Sequence, residues 1–292
     1  MKKRLIPLLM LLLTAVLLVP VTAGADMGPK RSVTVYFKNL GSEPCCATLL
    51  SRSDHSGPHR VWDGNPENAQ YYGATDEIWR AFVDYEDPDG YYFLQQIWHL
   101  GESNSLRWGY WPPSDFKILL YFPEAGVFLS SGPLAQYAFD TSYTVDLEGL
   151  GSAHGPITKV TKSYEYDREL IGLLLRILIT VGLEIAVALL FRLREKKQLI
   201  CILIVNVATQ LFLNGLLFIA DYYEGPLMAW ILYFLAELAV VVIEAVLYAT
   251  LLRHLSIRKR RVWLYLLYAL AANAVSFGAG ITIYLLWASI FG

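Results

Sequence analysis

Charge is scarce in this chain and cysteine scarcer: 17% of its 292 residues are Asp, Glu, Lys or Arg, and three are Cys. Soluble globular chains carry about 25% charge. A formal net charge of −2, with no basic face sustained beyond short loops, argues against nucleic acid as a partner. Cys45, Cys46 and Cys201 are too few for a disulfide framework, and no CxxC spacing exists for metal or redox work. Cys201 lies in an apolar run and reads as a small apolar residue. The vicinal Cys45–Cys46 pair bridges only with strain, because bridged residues prefer Cα atoms about 5.5 Å apart. It reads as part of a strand. HExxH, paired intramembrane Asp and Ser/His/Asp spacings are also absent. No enzyme activity, metal or cofactor is expected.

What is present divides into two regimes. Residues 26–168 are polar, aromatic and rich in Gly and Pro, whereas 170–292 is mostly apolar. Ahead of both, Lys2, Lys3 and Arg4 precede an apolar stretch from Leu5 to Val19, and Ala23-Gly24-Ala25 supplies small residues at a cleavage site. That is the layout of a signal peptide over 1–25, with an uncleaved anchor as the alternative; either exports the polar region beyond it.

Over 26–147, short β-branched and aromatic runs are separated by turn residues. Val33, Val35 and Phe37 alternate with Thr34, Tyr36 and Lys38, as in a half-buried strand. Cys45 to Leu50, Phe116 to Phe122, Val127 to Ser130 and Tyr137 to Val145 continue the pattern, with prolines flanking the runs. One helix interrupts them, with Ile78, Trp79, Phe82 and Val83 on one face and Asp76 placed to cap it. The acidic turn Asp84 to Gly90 fails the EF-hand pattern, since Tyr85 and Gln96 occupy positions that need acids. It reads as a solvated turn, with a looser calcium site as the alternative. The expected fold is a β-sandwich, immunoglobulin-like or related, with one short helix. Its dense Trp and Tyr fill a core or form a carbohydrate or peptide platform. Residues 148–168, with Gly149, Gly151, Gly155 and Pro156, read as a flexible linker.

The remainder, 169–292, holds four apolar segments of membrane-crossing length: 170–191, 199–220, 227–252 and 262–290. The first connection is basic (Arg192, Arg194, Lys196, Lys197), and so is the third (Arg258 to Arg261), whereas the second carries Asp221 and Glu224. The positive-inside rule puts the basic loops in the cytoplasm. The exported domain and the C-terminus then face outward from the plasma membrane, in agreement with the signal peptide.

Ionisable and amide side chains inside such segments are costly and should face the bundle interior. At about 1.5 Å per residue, Glu184, Asn206 and Glu244 lie about 12 Å from the basic end, and Arg176, Asn214 and Glu237 about 24 Å. Asn273 falls between, and Gln210 shares a stripe with Asn206 and Asn214. Arg176 should pair with Glu237. Glu184 and Glu244 are left without a cation and should share protons or bind one, because two adjacent carboxylates do not readily ionise together. The eight residues form either an intramembrane ion site or polar glue between helices.

The stretches DGYYFLQ (Asp89 to Gln95), WGYWPPSDFKILLYFPE (Trp108 to Glu124), YAFDTSYTVDL (Tyr137 to Leu147), NVATQLFLN (Asn206 to Asn214) and ELAVVVIEAVLY (Glu237 to Tyr248) resemble a family of uncharacterised membrane proteins from anaerobic Gram-positive bacteria. The resemblance implies an exported domain joined to four membrane helices and nothing catalytic. The expected function is that of a surface sensor or scaffold, with the bilayer and an extracellular or membrane protein as partners. The alternative is a small cation- or proton-coupled transporter using Glu184 and Glu244.

Overall fold

A computed structural model describes residues 28–101, 103–149, 155–257 and 259–291. The expected signal peptide lies outside these residues. The N-terminal region is mostly β, in mixed sheets, and four long apolar helices follow it. Its strands are β1 (Ser32–Lys38), β2 (Cys45–Ser51), β3 (His55–Ser56), β4 (His59–Arg60), β5 (Tyr92–Phe93), β6 (Trp98–Leu100), β7 (Ser105–Trp108), β8 (Asp115–Phe122), β9 (Val127–Ser131), β10 (Leu134–Ala135), β11 (Asp140–Asp146), β12 (Gly155–Ile157) and β13 (Val160–Lys162).

One sheet runs β13-β11-β1-β7, with β1 parallel to β11; a second runs β12-β9-β8-β2-β5, with β6 and β10 added at its sides and β12 parallel to β9; β3 and β4 pair as a separate hairpin. Alternation decides what each face meets. Val33, Val35 and Phe37 of β1 share one core with Cys45, Ala47 and Leu49 of β2 and with Phe116, Ile118 and Leu120 of β8. The opposite faces of β2 and β8 present Cys46, Leu50, Leu119 and Tyr121 to a second core. Helix α1 (Asp76–Val83) covers it with Trp79 and Phe82. This second cover explains why β2 is buried on every residue.

The structure revises the local reading in four places. Thr75, rather than Asp76, caps α1: its Oγ1 accepts the Ile78 amide at 3.3 Å, leaving Asp76 in the first turn. Residues 148–168 contain β12 and β13, which join the two sheets at their ends. The last long strand begins at Asp140, because Thr141 Oγ1 draws the Tyr137 and Ala138 amides into a turn at 3.1 Å each. The acidic turn after α1 is solvated at Asp84, Glu86, Asp89 and Gly90, but not at Asp87. Asp87 is buried with Lys117 of β8, whose Nζ lies 2.9 Å from both Asp87 carboxylate oxygens and 2.5 Å from an Asp89 oxygen. An ammonium thus stands where the calcium reading would put an ion.

Cys45 and Cys46 are strand residues with free thiols, one in each core. Burial, with the neighbouring Cys46 adding to it, pushes the Cys45 thiol up to about 12, and burial pushes Cys46 up to about 11. Because thiolate is the reactive form, neither should react with maleimide at pH 8 until the domain unfolds. The raised values favour the folded, protonated form. That contribution is complete below the unfolded thiol value of about 8.5 and is lost as pH rises through the folded values. Labelling counted by mass across a urea titration checks this; prompt native labelling at Cys45 or Cys46 would contradict it.

The helices are α2 (Tyr166–Leu190), α3 (Lys196–Glu224), α4 (Pro226–Leu247, extended through Leu255) and α5 (Val262–Phe291). All four are long and apolar enough to cross a membrane. They close a ring in which α2 packs on α3, α3 on α4, α4 on α5 and α5 on α2. Large apolar side chains such as Leu190, Phe212 and Leu235 face outward. The expected acidic loop is the final turn of α3, and only Gly225 separates it from α4.

Candidate functional site

The two ends of the bundle differ. At one, the basic connections hold each other. Arg260 donates to the Phe191 and Arg192 carbonyls at 2.9 and 3.1 Å, serving the open C-terminal carbonyls of α2. Glu195 accepts the Ile257 amide at 3.0 Å. At the other end sits the β domain. The Phe139 amide donates to the Tyr222 carbonyl at 2.7 Å, and Arg31 donates to the Tyr223 carbonyl at 3.1 Å. Tyr137, Tyr164, Phe218 and Tyr222 pack their rings around this seat.

Between the ends, buried polar side chains from all four helices meet. Glu184 of α2 and Glu244 of α4 are each 1% exposed. Asn206 of α3 donates through Nδ2 to Glu184 and, at 3.0 Å, to the Tyr248 hydroxyl. Tyr248 and Tyr268 direct their hydroxyls at the same Glu184 oxygen, at 3.4 and 3.5 Å. Glu244 accepts from Thr209 Oγ1 of α3 and from Asn273 Nδ2 of α5, each at 2.7 Å. Helix α3 therefore serves both carboxyl groups, with Asn206 and Thr209 three residues apart on one face.

Four expected residues come together: Glu184, Asn206, Glu244 and Asn273. Two others pair elsewhere, since Asn214 Nδ2 bonds Gln210 Oε1 at 3.1 Å along α3. Arg176 and Glu237 do not meet; among the described residues no ion pair joins them. Arg176 is exposed, and its guanidinium folds back over Gly172 one turn earlier. Glu237 is only half-buried.

Tyr248 and Tyr268 escaped the sequence reading, since a tyrosine in an apolar run looks like core or interfacial belt. Tyr248 opens a π-helical turn, Tyr248–Leu252, that interrupts α4. Such turns are rare and recur at functional sites. Neither Gly nor Pro marks it, so its sequence signal is absent. Gln198 Nε2 supports the turn by donating to the Leu252 carbonyl at 3.3 Å.

Two features bear on chemistry. Among the described residues no Lys, Arg or His pairs with Glu184 or Glu244, and Asn206 Oδ1 is buried without a hydrogen-bond partner. A buried cluster of carboxyl and amide oxygens with no cationic side chain beside it can share protons between carboxyl groups or hold a small cation. No group of three or more His, Cys, Asp or Glu poised for a metal occurs among the described residues. No protein family, curated protein or solved structure matches this chain.

Proposed function

We propose that this is a multi-pass plasma-membrane sensor or scaffold whose exported domain binds a ligand or partner and passes its state to the bundle. The observation that carries this reading is the seat of Phe139 on Tyr222. It places the β domain on the end of α3, the helix that also holds both buried carboxyl groups. A shift at the seat acts on a rigid element whose other contacts are polar and directional. We take the domain to be a two-sheet sandwich of a type related to, but distinct from, the immunoglobulin fold. The β1–β11 and β9–β12 pairings are parallel, whereas immunoglobulin sheets are antiparallel.

The basic connections are assigned to the cytoplasm, and the β domain and C-terminus to the outside. An impermeant maleimide should therefore label Glu224→Cys on intact cells and Lys197→Cys only after permeabilisation. The reverse pattern refutes the orientation.

The unpaired Glu184 and Glu244, with the open Asn206 Oδ1, favour a second reading as a proton- or cation-coupled carrier. The double substitution Glu184→Gln and Glu244→Gln separates the two. A sensor keeps its membrane level and its seat, read by protection of the Phe139 amide, and moves no ion in proteoliposomes. A carrier shows pH- or cation-driven flux that the substitution abolishes, and that result would displace the sensor reading.

A further inference from the structure

A carboxyl oxygen that faces an N–H must accept, so the donors around Glu184 and Glu244 restrict where protons sit. Asn273 Nδ2 donates to the Ala269 carbonyl at 3.0 Å and to Glu244 Oε2 at 2.7 Å. A carbonyl only accepts, so it holds this amide with its nitrogen toward the carboxyl group. Asn206 Nδ2 lies against Glu184 Oε2, with the Tyr248 and Tyr268 hydroxyls at 3.4 and 3.5 Å from the same atom. Thr209 Oγ1 meets Glu244 Oε1 at 2.7 Å and the Val205 and Asn206 carbonyls at 3.0 and 3.1 Å. Neutral donors thus serve both carboxyl groups, and the two groups also hydrogen-bond each other.

A hydrogen bond between two carboxyl groups contains a proton, because two ionised oxygens repel and neither can donate. One proton suffices. It bridges the pair, and the remaining negative charge faces the amide and hydroxyl donors. Two carboxylates would set two charges side by side in a bundle of membrane-crossing length, with no Lys, Arg or His paired to either among the described residues. A second proton would exchange charge-assisted bonds to those donors for weaker neutral ones. The other titratable groups in electrostatic reach are the Cys201 thiol of α3, near Tyr268, and Glu237 of α4, near Glu244; neither supplies positive charge.

A metal ion fits worse. It needs several oxygens turned toward it, and Asn206 and Asn273 present nitrogen. One acceptor stays open: Asn206 Oδ1, fully buried and without a hydrogen-bond partner. It lies on the opposite arm of the amide from the nitrogen that serves Glu184. A single open oxygen suits the hydrogen of a water that brings or removes a proton, and it does not make a metal shell.

We propose that Glu184 and Glu244 form a proton-binding site that holds one proton between their carboxyl groups and takes no metal ion. This names the ion of the second reading and rests on that reading only for movement of the proton across the membrane. The test is infrared spectroscopy of the full chain in phosphatidylcholine nanodiscs at about pH 7, where ordinary carboxyl groups are ionised. The wild type minus the double variant, Glu184→Gln with Glu244→Gln, should show the stretch of one carboxylic acid per chain. Carboxyl-13C glutamate should move that band. Replacing choline chloride with sodium, potassium or calcium chloride should leave its intensity unchanged. A difference spectrum with no carboxylic acid, or with two, overturns the proposal, as does loss of the band to any of the three metals. Each single variant keeps one carboxyl group and all the neutral donors, so it covers the case in which the double variant does not fold. Either one should shift the band, since each removes one side of the shared bond; a band indifferent to one of them refutes sharing. Flux in proteoliposomes is read separately. One bound proton without flux ends the carrier reading and leaves the site standing, whereas metal-driven flux with no shared proton does the reverse.

Discussion

Lys117→Met is expected to cost the β domain about 3–5 kcal/mol, enough to unfold a typical domain of this size in part or in full. The reason is the partner left behind. The Asp87 side chain is fully buried, and the Lys117 side chain is 4% exposed. Two bonds of 2.9 Å from Nζ hold the Asp87 carboxylate, and the Asp89 and Tyr91 amides donate to its Oδ1 at 3.0 and 3.3 Å. Methionine fills the stem but supplies no charge, so the carboxylate stays desolvated with two amides alone. Removing both partners, as in Lys117→Met with Asp87→Leu, should recover much of the loss, because an absent ion pair costs less than half of one. Urea unfolding followed by tryptophan fluorescence measures both. A single-variant cost below about 1 kcal/mol would mean that the pair behaves as a surface pair.

The same ion pair sets an alkaline limit. Burial works against the Lys117 ammonium, but hydrogen bonds to Asp89 and Asp87 and their charges outweigh it, so its pKa lies above the ordinary lysine value. A raised lysine value means that its stabilisation is complete below the unfolded value of about 10.4 and is lost as pH climbs through the folded one. The wild-type midpoint should therefore fall more steeply in that range than that of the double variant.

Lys117 also shows where sequence reading stops. Phe116 to Phe122 is legible as a buried strand because it is apolar apart from Lys117, and the structure buries its other side chains as core hydrophobics. Nothing local says that the one charge in that run will find two aspartates about 30 residues away. Period and composition carried five of the thirteen strands (β1, β2, β8, β9 and β11), α1 and the four helix spans, since each is decided within one segment. Membrane depth, counted along the helices, likewise brought Glu184, Asn206 and Glu244 to one level, with Asn273 between it and the next. Depth does not fix azimuth. Arg176 and Glu237 share a level yet form no ion pair among the described residues, and Tyr248 faces inward through a π turn that no residue type announces. Long-range pairing and helix rotation are properties of the packed whole, and one segment's sequence does not encode them.

Gly225→Ala should separate the β domain from the bundle. Gly225 has φ of +88° and ψ of 176°, a region open essentially to glycine alone. It is also the whole connection between α3 and α4, so neighbouring loop residues cannot absorb the change. A Cβ there would lie 2.6 Å from three atoms of the Phe139 ring, which is itself largely buried. Backbone strain costs about 1–3 kcal/mol, and forcing a methyl into a filled contact costs about as much again. The cheapest relief is for Phe139 to lift away, which breaks its amide bond to the Tyr222 carbonyl. Hydrogen exchange at the Phe139 amide reads that event directly, and it should quicken well before the domain core loses protection. Adding Phe139→Ala removes the ring clash but not the backbone term, so the double variant should recover part of the stability and little of the coupling. If Gly225→Ala leaves both the midpoint and the Phe139 amide unchanged, the seat is not a contact through which the β domain acts on α3. The carboxyl groups of Glu184 and Glu244 would then have to be explained by what the membrane segment does alone.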